Sequence, residues 1–167
     1  MPISNALKNL YSSAPNDIYE IETLQISHPQ FVQGPRYICN QRDGFSAQDE
    51  NSNPVFYEAS AFSVLKPKGQ IGGKIELQVT LDNTTRETME DLERLSKSPT
   101  EPIEVIYRVY LSNDPNTVQN LPPLKLDILG VVATVRYISF VAGLPNFRFN
   151  PFPKYRYELE KFPGLVR

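Results

Sequence analysis

The sequence predicts a mainly β protein, and three observations carry the prediction. Residues 74–82 alternate strictly between apolar and polar, several β-branched and aromatic runs are spaced by turn residues, and fifteen prolines stand against eight glycines. Prolines in such number punctuate strands and hold loops extended. At 167 residues the chain fits one domain, or one domain with a long arm. A chain of that size buries roughly 70% of its unfolded surface, so it needs no staple.

The elements follow in order. Ser4 caps a short N-terminal helix in which Leu7, Leu10 and Tyr11 share one face, and Pro15 ends it. That stripe reads as a docking arm. Residues 17–27 (DIYEIETLQIS) form a strand closed by a turn at His28-Pro29, and residues 35–41 (PRYICNQ) form a second. Residues 43–54 (DGFSAQDENSNP) read as a polar loop, after which residues 56–65 are extended again.

In residues 74–82, Ile75, Leu77, Val79 and Leu81 alternate with Glu76, Gln78 and Thr80, which demands one buried and one wetted face. Thr84 and Glu87 then have capping-box spacing, and Met89, Leu92 and Leu95 recur every three residues before Pro99. This predicts a packed helix over about residues 84–97. Ile103, Val105, Tyr107, Val109 and Leu111 alternate with Glu104 and Arg108 as another strand, followed by a turn at 112–117. Two last strands, 124–129 and 131–141, are separated by Gly130 as a bulge or bend.

The organisation therefore divides into a β body with its N-terminal helix, residues 1–143, and an extended arm, residues 144–167. The arm holds four phenylalanines, two tyrosines and four prolines without strand or helix period. Five basic side chains against two acidic give it a local charge of +3, whereas residues 82–104 carry seven acidic and three basic, a local −4. The chain is electrically polar.

Composition excludes several classes of function. A net charge of −2 with 40% hydrophobic and 22% charged residues describes an ordinary globular protein without a nucleic-acid signature. The longest apolar run, residues 128–135, is far short of the roughly 20 residues a spanning helix needs. No basic region followed by an apolar core opens the chain, so neither secretion nor membrane insertion is expected. Cys39 is the only cysteine, which removes intramolecular disulfides and thiolate metal sites and suits folding in a reducing cytoplasm.

Candidate chemistry is sparse. His28, the single histidine, sits between Ser27 and Pro29 in an apparent turn and reads as a strand-ending turn residue. The carboxylate pairs Glu20/Glu22 and Glu76/Asp82 lie on strand faces that read as solvated. Asp43 through Asn51 lacks the ligand spacing of a calcium loop, and residues 69–73 (GQIGG) lead into a strand, so they read as a hinge and not a phosphate cradle. Asn83-Thr84-Thr85 has the form of a glycosylation triplet, which has little weight without a signal peptide. The basic aromatic arm is too weakly charged for a good nucleic-acid site. No catalytic, metal-binding or cofactor-binding residues, and no cofactor, are assigned; the expectation is a protein that is not an enzyme.

Three anchors give a resemblance. They are the strand of residues 75–83 with Met89, Leu92 and Leu95 after it, the early Ile26-Ser27-His28-Pro29 with residues 35–40, and the closing run from Pro151-Phe152-Pro153 to Phe162-Pro163-Gly164-Leu165. With them the chain resembles the small tail-tip proteins, minor or distal tail proteins, of long-tailed non-contractile bacteriophages, catalogued as a domain of unknown function. The resemblance implies a β-sandwich or barrel related to tail-tube subunits. It implies a structural subunit forming a ring, a hexamer by analogy, between the tail tube and the central hub or fibre proteins of the tail tip or baseplate. The partners implied are further copies of itself, the tail tube protein and the hub or fibre proteins, with DNA only in transit through the lumen. The implied location is the virion, after synthesis in the host bacterial cytoplasm. In such a ring Glu76, Gln78 and Thr80 are the lumen-facing candidates, and Phe149, Phe152, Tyr155, Tyr157, Phe162 and Leu165 are the anchors of a partner-docking arm. The alternative is a receptor- or carbohydrate-binding β-sandwich module, motivated by nine tyrosines and the polar loop; a cell-wall hydrolase ranks last.

Overall fold

The computed structural model describes residues 4–13, 15, 17–31, 34–65, 76–82, 102–134 and 137–144. Helix α1 (Asn5–Ser13) precedes nine strands: β1 (Glu20–Ser27), β2 (Arg36–Cys39), β3 (Phe45–Gln48), β4 (Pro54–Ala59), β5 (Phe62–Leu65), β6 (Glu76–Asp82), β7 (Glu104–Leu111), β8 (Leu124–Ala133) and β9 (Tyr137–Gly143). The fold is mainly β, as expected, and the strands form one sheet in the order β3-β4-β2-β1-β7-β8-β9-β6-β5. Neighbours are antiparallel except β2 and β4, which run parallel. The predicted helix at 84–97, the hinge at 69–73, the triplet at 83–85 and the arm beyond Leu144 lie outside the described residues.

The alternating strand behaves as its pattern requires. In β6, Leu77, Val79 and Leu81 are buried while Gln78, Thr80 and Asp82 are exposed. Leu77 pairs with Ala142, Val79 with Phe140 and Leu81 with Ile138, so the inner faces of β6 and β9 match residue for residue. The same core takes Leu24 and Ile26 of β1, Val105, Tyr107, Val109 and Leu111 of β7 and Leu126 of β8. Each such aliphatic side chain removed from water contributes about 1.5–3 kcal/mol.

The other face of β7 builds a second, smaller core. Ile21, Cys39, Ala47, Tyr57, Tyr110 and Val118 cluster there, with Tyr37, Phe45 and Val55 against them. Here one expectation is corrected. Residues 43–54 are not all loop, because Phe45–Gln48 forms β3 on β4, with Phe45 opposite Tyr57 and Ala47 opposite Val55. Its two inward side chains are spaced for a strand, but four residues between polar flanks are too short a run to register as alternation. Gly44 marks the tight entry: a Cβ there would lie 2.7 Å from the Tyr57 carbonyl oxygen.

A second correction concerns residues 124–141. One strand continues through Gly130 with an irregularity between Ile128 and Gly130, and the break falls after Ala133 instead. The glycine is absorbed as a bulge, whereas Thr134 accepts the turn, its Oγ1 donating to the Tyr137 carbonyl at 2.7 Å.

Helix α1 starts as predicted. The Ser4 hydroxyl accepts the Leu7 N–H at 3.1 Å and donates to Gln119 Oε1 at 2.6 Å, which ties the cap to the body. Leu7 is buried in the main core, so this helix docks on its own chain, while Tyr11 is exposed and bonds Glu20. The segment carrying Gln119 also finishes the edge of β7 beyond Tyr107, where β8 no longer pairs. The Asn120 amide accepts from the Val109 N–H and donates to the Tyr107 carbonyl, at 2.9 and 3.0 Å, in place of a neighbouring strand.

Val79 is 1% exposed and faces Phe140 across the ladder. Val79→Asp is expected to lower the unfolding free energy by about 4 kcal/mol or more in chemical denaturation, because a lone carboxylate is forced into the main core. Unchanged stability would reverse the assignment of the two faces of β6.

Candidate functional site

The sheet register brings one row of residues together at one end. Ser27 pairs with Glu104, Glu104 with Asp127, Asp127 with Gly143, and Gly143 with Glu76. The row crosses β1, β7, β8, β9 and β6, and alternation puts its side chains on the face away from the main core. Beside it opens a cleft of about 670 Å³, lined by Ser27, His28, Pro29, Phe31, Gly34, Pro35, Pro102, Glu104 and Asp127.

Each wall has a local cause. Past Ser27 the chain turns at His28, whose Nδ1 accepts the Gln30 N–H at 3.1 Å, and whose carbonyl accepts the Phe31 N–H at 3.1 Å. A neutral imidazole so bonded carries its proton on Nε2. The Phe31 ring lies tilted against it at 6.0 Å. Gly34, with φ 75°, supplies the left-handed backbone that brings Pro35 back into β2. Pro102 enters β7 on the opposite side. His28 is thus the strand-ending turn residue expected from sequence, and it is 7% exposed.

Two neighbouring carboxylates close the remaining wall. Burial first, and the Glu104 charge second, push the Asp127 carboxyl above its ordinary range. Mostly apolar walls with an acidic end, and no cation lining them among the described residues, suit an extended apolar segment that carries a cation. Among the described residues, no group of three His, Cys, Asp or Glu side chains is placed to hold a metal ion.

The other candidates are occupied by structural work. Glu22 Oε1 accepts the Tyr107 hydroxyl and Glu20 Oε2 the Tyr11 hydroxyl, at 2.8 and 2.7 Å. Asp49 accepts the Asn51 and Asn53 N–H groups, both at 2.8 Å, which closes its loop on itself. Cys39 is buried, and burial pushes its thiol up, so it stays protonated and inert. Glu76, Gln78 and Thr80 lie on the outward face of β6, Glu76 half-buried and the other two exposed. The arm anchors Phe149, Phe152, Tyr155, Tyr157, Phe162 and Leu165 lie outside the described residues. Sequence reading missed the adjacency of Glu104 and Asp127, for which the only signal was that Glu104 closes the acidic segment.

The second core holds a buried ion pair. Arg108, 3% exposed, donates from Nε to Glu50 at 2.7 Å and from Nη1 to Gln25 at 2.7 Å. Tyr110 donates to the Gln48 carbonyl at 2.9 Å, and its hydroxyl lies 3.2 Å from that of Tyr57. These bonds pin the loop after β3 over β7.

A model of the family described as Domain of unknown function (DUF1833) matches residues 5–157. The chain belongs to that family. The match takes in the β body, the cleft and the arm as far as Tyr157. No curated protein matches the sequence significantly.

Two outcomes are expected. Glu50→Ala strands the Arg108 charge and should cost about 3 kcal/mol in denaturation experiments. Burial is the largest single influence and opposes ionisation of Glu50, but the Arg108 hydrogen bond, a backbone hydrogen bond and the Arg108 charge together outweigh it and hold this carboxyl below its ordinary range. Its contribution is therefore complete above the unfolded glutamate pKa and is lost as pH falls through the folded one, a slope the variant should lack. Asp127 has the opposite sign: its ionised form costs stability at neutral pH, and that cost fades as pH falls through the folded pKa. Asp127→Asn should raise the melting temperature at neutral pH and leave it unchanged in acid.

Proposed function

We propose that this protein is a structural subunit of a phage tail tip, forming a ring between the tail tube and the hub or fibre proteins and lining the DNA channel. The observation that supports it most is the outward face of β5, β6 and β9. Ser63, Glu76, Gln78, Thr80, Asp82, Ser139 and Tyr137 stand there, and no lysine or arginine among the described residues of that face joins them. A wall without cations, acidic at its ends, does not hold passing phosphate.

Two exposed strand edges give such a subunit places to join its neighbours. Among the described residues, β5 pairs only with β6, and β8 beyond Ile128 pairs only with β9. Leu65 and Val132, each 62% exposed, mark those edges as surfaces that gain from being covered. No helix among the described residues is long and apolar enough to cross a membrane.

The carbohydrate-binding reading asks for aromatic rings around an open groove. Tyr57 and Tyr110 instead lie fully buried in the second core, and Phe45 stacks on Tyr57 at 5.4 Å.

Mass measurement with electron microscopy of the purified chain is expected to show a closed ring, six subunits by analogy. A monomer that stays monomeric at high concentration would sink the proposal.

A further inference from the structure

The cleft at the end of the sheet has an acidic wall and, among the described residues, no cation lining it, and the ring proposal leaves it unused. We propose that it receives the segment 151–156 (PFPKYR) of a neighbouring copy's C-terminal arm, an inference that rests on the ring reading.

Three observations point to that occupant. The cleft's apolar walls are Phe31 and the rings of Pro29, Pro35 and Pro102. Aromatic and proline surfaces of this kind take proline-rich extended segments, whose stiffness lowers the entropy lost on docking. Pro151-Phe152-Pro153 supplies such a wedge, and Lys154 and Arg156 follow it directly.

Charge supplies the second argument. Glu104 and Asp127 stand side by side on the acidic wall, where burial and then the Glu104 charge raise the cost of ionising Asp127. A lysine or arginine arriving there turns a repulsive pair into a bridged one, partly shielded from water by the proline rings. Lys154 or Arg156 makes that match, and the arm as a whole is basic.

Position is the third. Gly143 is the register partner of Asp127, so the chain leaves β9 one strand away from the acidic wall. Exit and cleft thus share one end of the body, and a rotation about a ring axis keeps them level from subunit to subunit. From Leu144 to Pro151 is seven residues, at most about 25 Å when extended. Proline at 145, 151 and 153 biases the preceding residue to extended backbone, which favours crossing to the neighbour over doubling back.

The test uses full-length chains carrying one new cysteine each, Glu104→Cys or Lys154→Cys, the native Cys39 being buried. Mixed and assembled under mild oxidation, the two variants should give a reducible dimer, while either alone gives little. Circular dichroism melts confirm that both remain folded. In the same assay Asp127→Lys should lower the dimer yield roughly tenfold, and adding Arg156→Glu to the Lys154→Cys chain should restore it. Rings without a mixed dimer would overturn this docking and leave the ring standing. A chain carrying both cysteines that links only within itself would mean the arm packs on its own body, again overturning it. Monomers without any cross-link would overturn docking and ring together.

Discussion

The pairing of β7 with β1 is the constraint from which the rest of the structure follows. Eight residue pairs join them, from Glu20 with Leu111 to Ser27 with Glu104, and β7 is buried on both faces. A strand covered on both sides needs two cores. Val105, Tyr107, Val109 and Leu111 serve the larger, while Ile106 and Tyr110 point to the opposite face. Arg108 is the buried charge on that strand, and it is tolerated because Glu50 and Gln25 meet it. Moving the β1–β7 register by one residue would exchange the two cores and strand that guanidinium in the wrong one.

What the sequence discloses depends on how many faces a strand buries. In β6 one face is wet, so polar residues at every second position made strand and inner face legible together, while its register came only with the sheet. In β7, Glu104 and Arg108 supplied enough polarity to suggest the same alternation, but Ile106 and Tyr110, buried on the opposite face, do not fit it, and Tyr110 belongs to the second core. That core was invisible because its β3 and β4 members are short and sit among loop residues. The division of β8 from β9 was misplaced for a local reason. Gly130 has the composition of a breaker and is absorbed as a bulge, whereas Thr134, β-branched like its neighbours, closes the turn.

The cleft was legible only in fragments. Glu104 and Asp127 are 23 positions apart, and nothing short of the sheet register brings them into one row. The opposed charges of residues 82–104 and of the arm were visible as bulk properties, without an address on either side. The register supplies the address on the body, since Asp127, Gly143 and Glu76 share one row with Glu104. It also fixes where the arm departs, because Gly143 is both a member of that row and the last residue of β9.

A carboxylate pair that repels itself is a cost to the isolated subunit. Folding alone would favour an amide at position 127, where no hydrogen bond or ion pair among the described residues repays the charge in the way Arg108 repays Glu50. The contrast between the two sites is instructive in physical terms: one acid is satisfied inside the body, the other is left at the mouth of a cleft walled by prolines and phenylalanine. An unsatisfied charge beside an apolar wall stores binding energy that is released only when a cation arrives attached to an apolar segment. In the proposed ring the supplier of that segment would be present at a fixed height and a high effective concentration, so modest pairwise attraction would suffice to fasten each subunit to the next. Under that proposal the electrostatic cost carried by the single chain would become part of what favours closure.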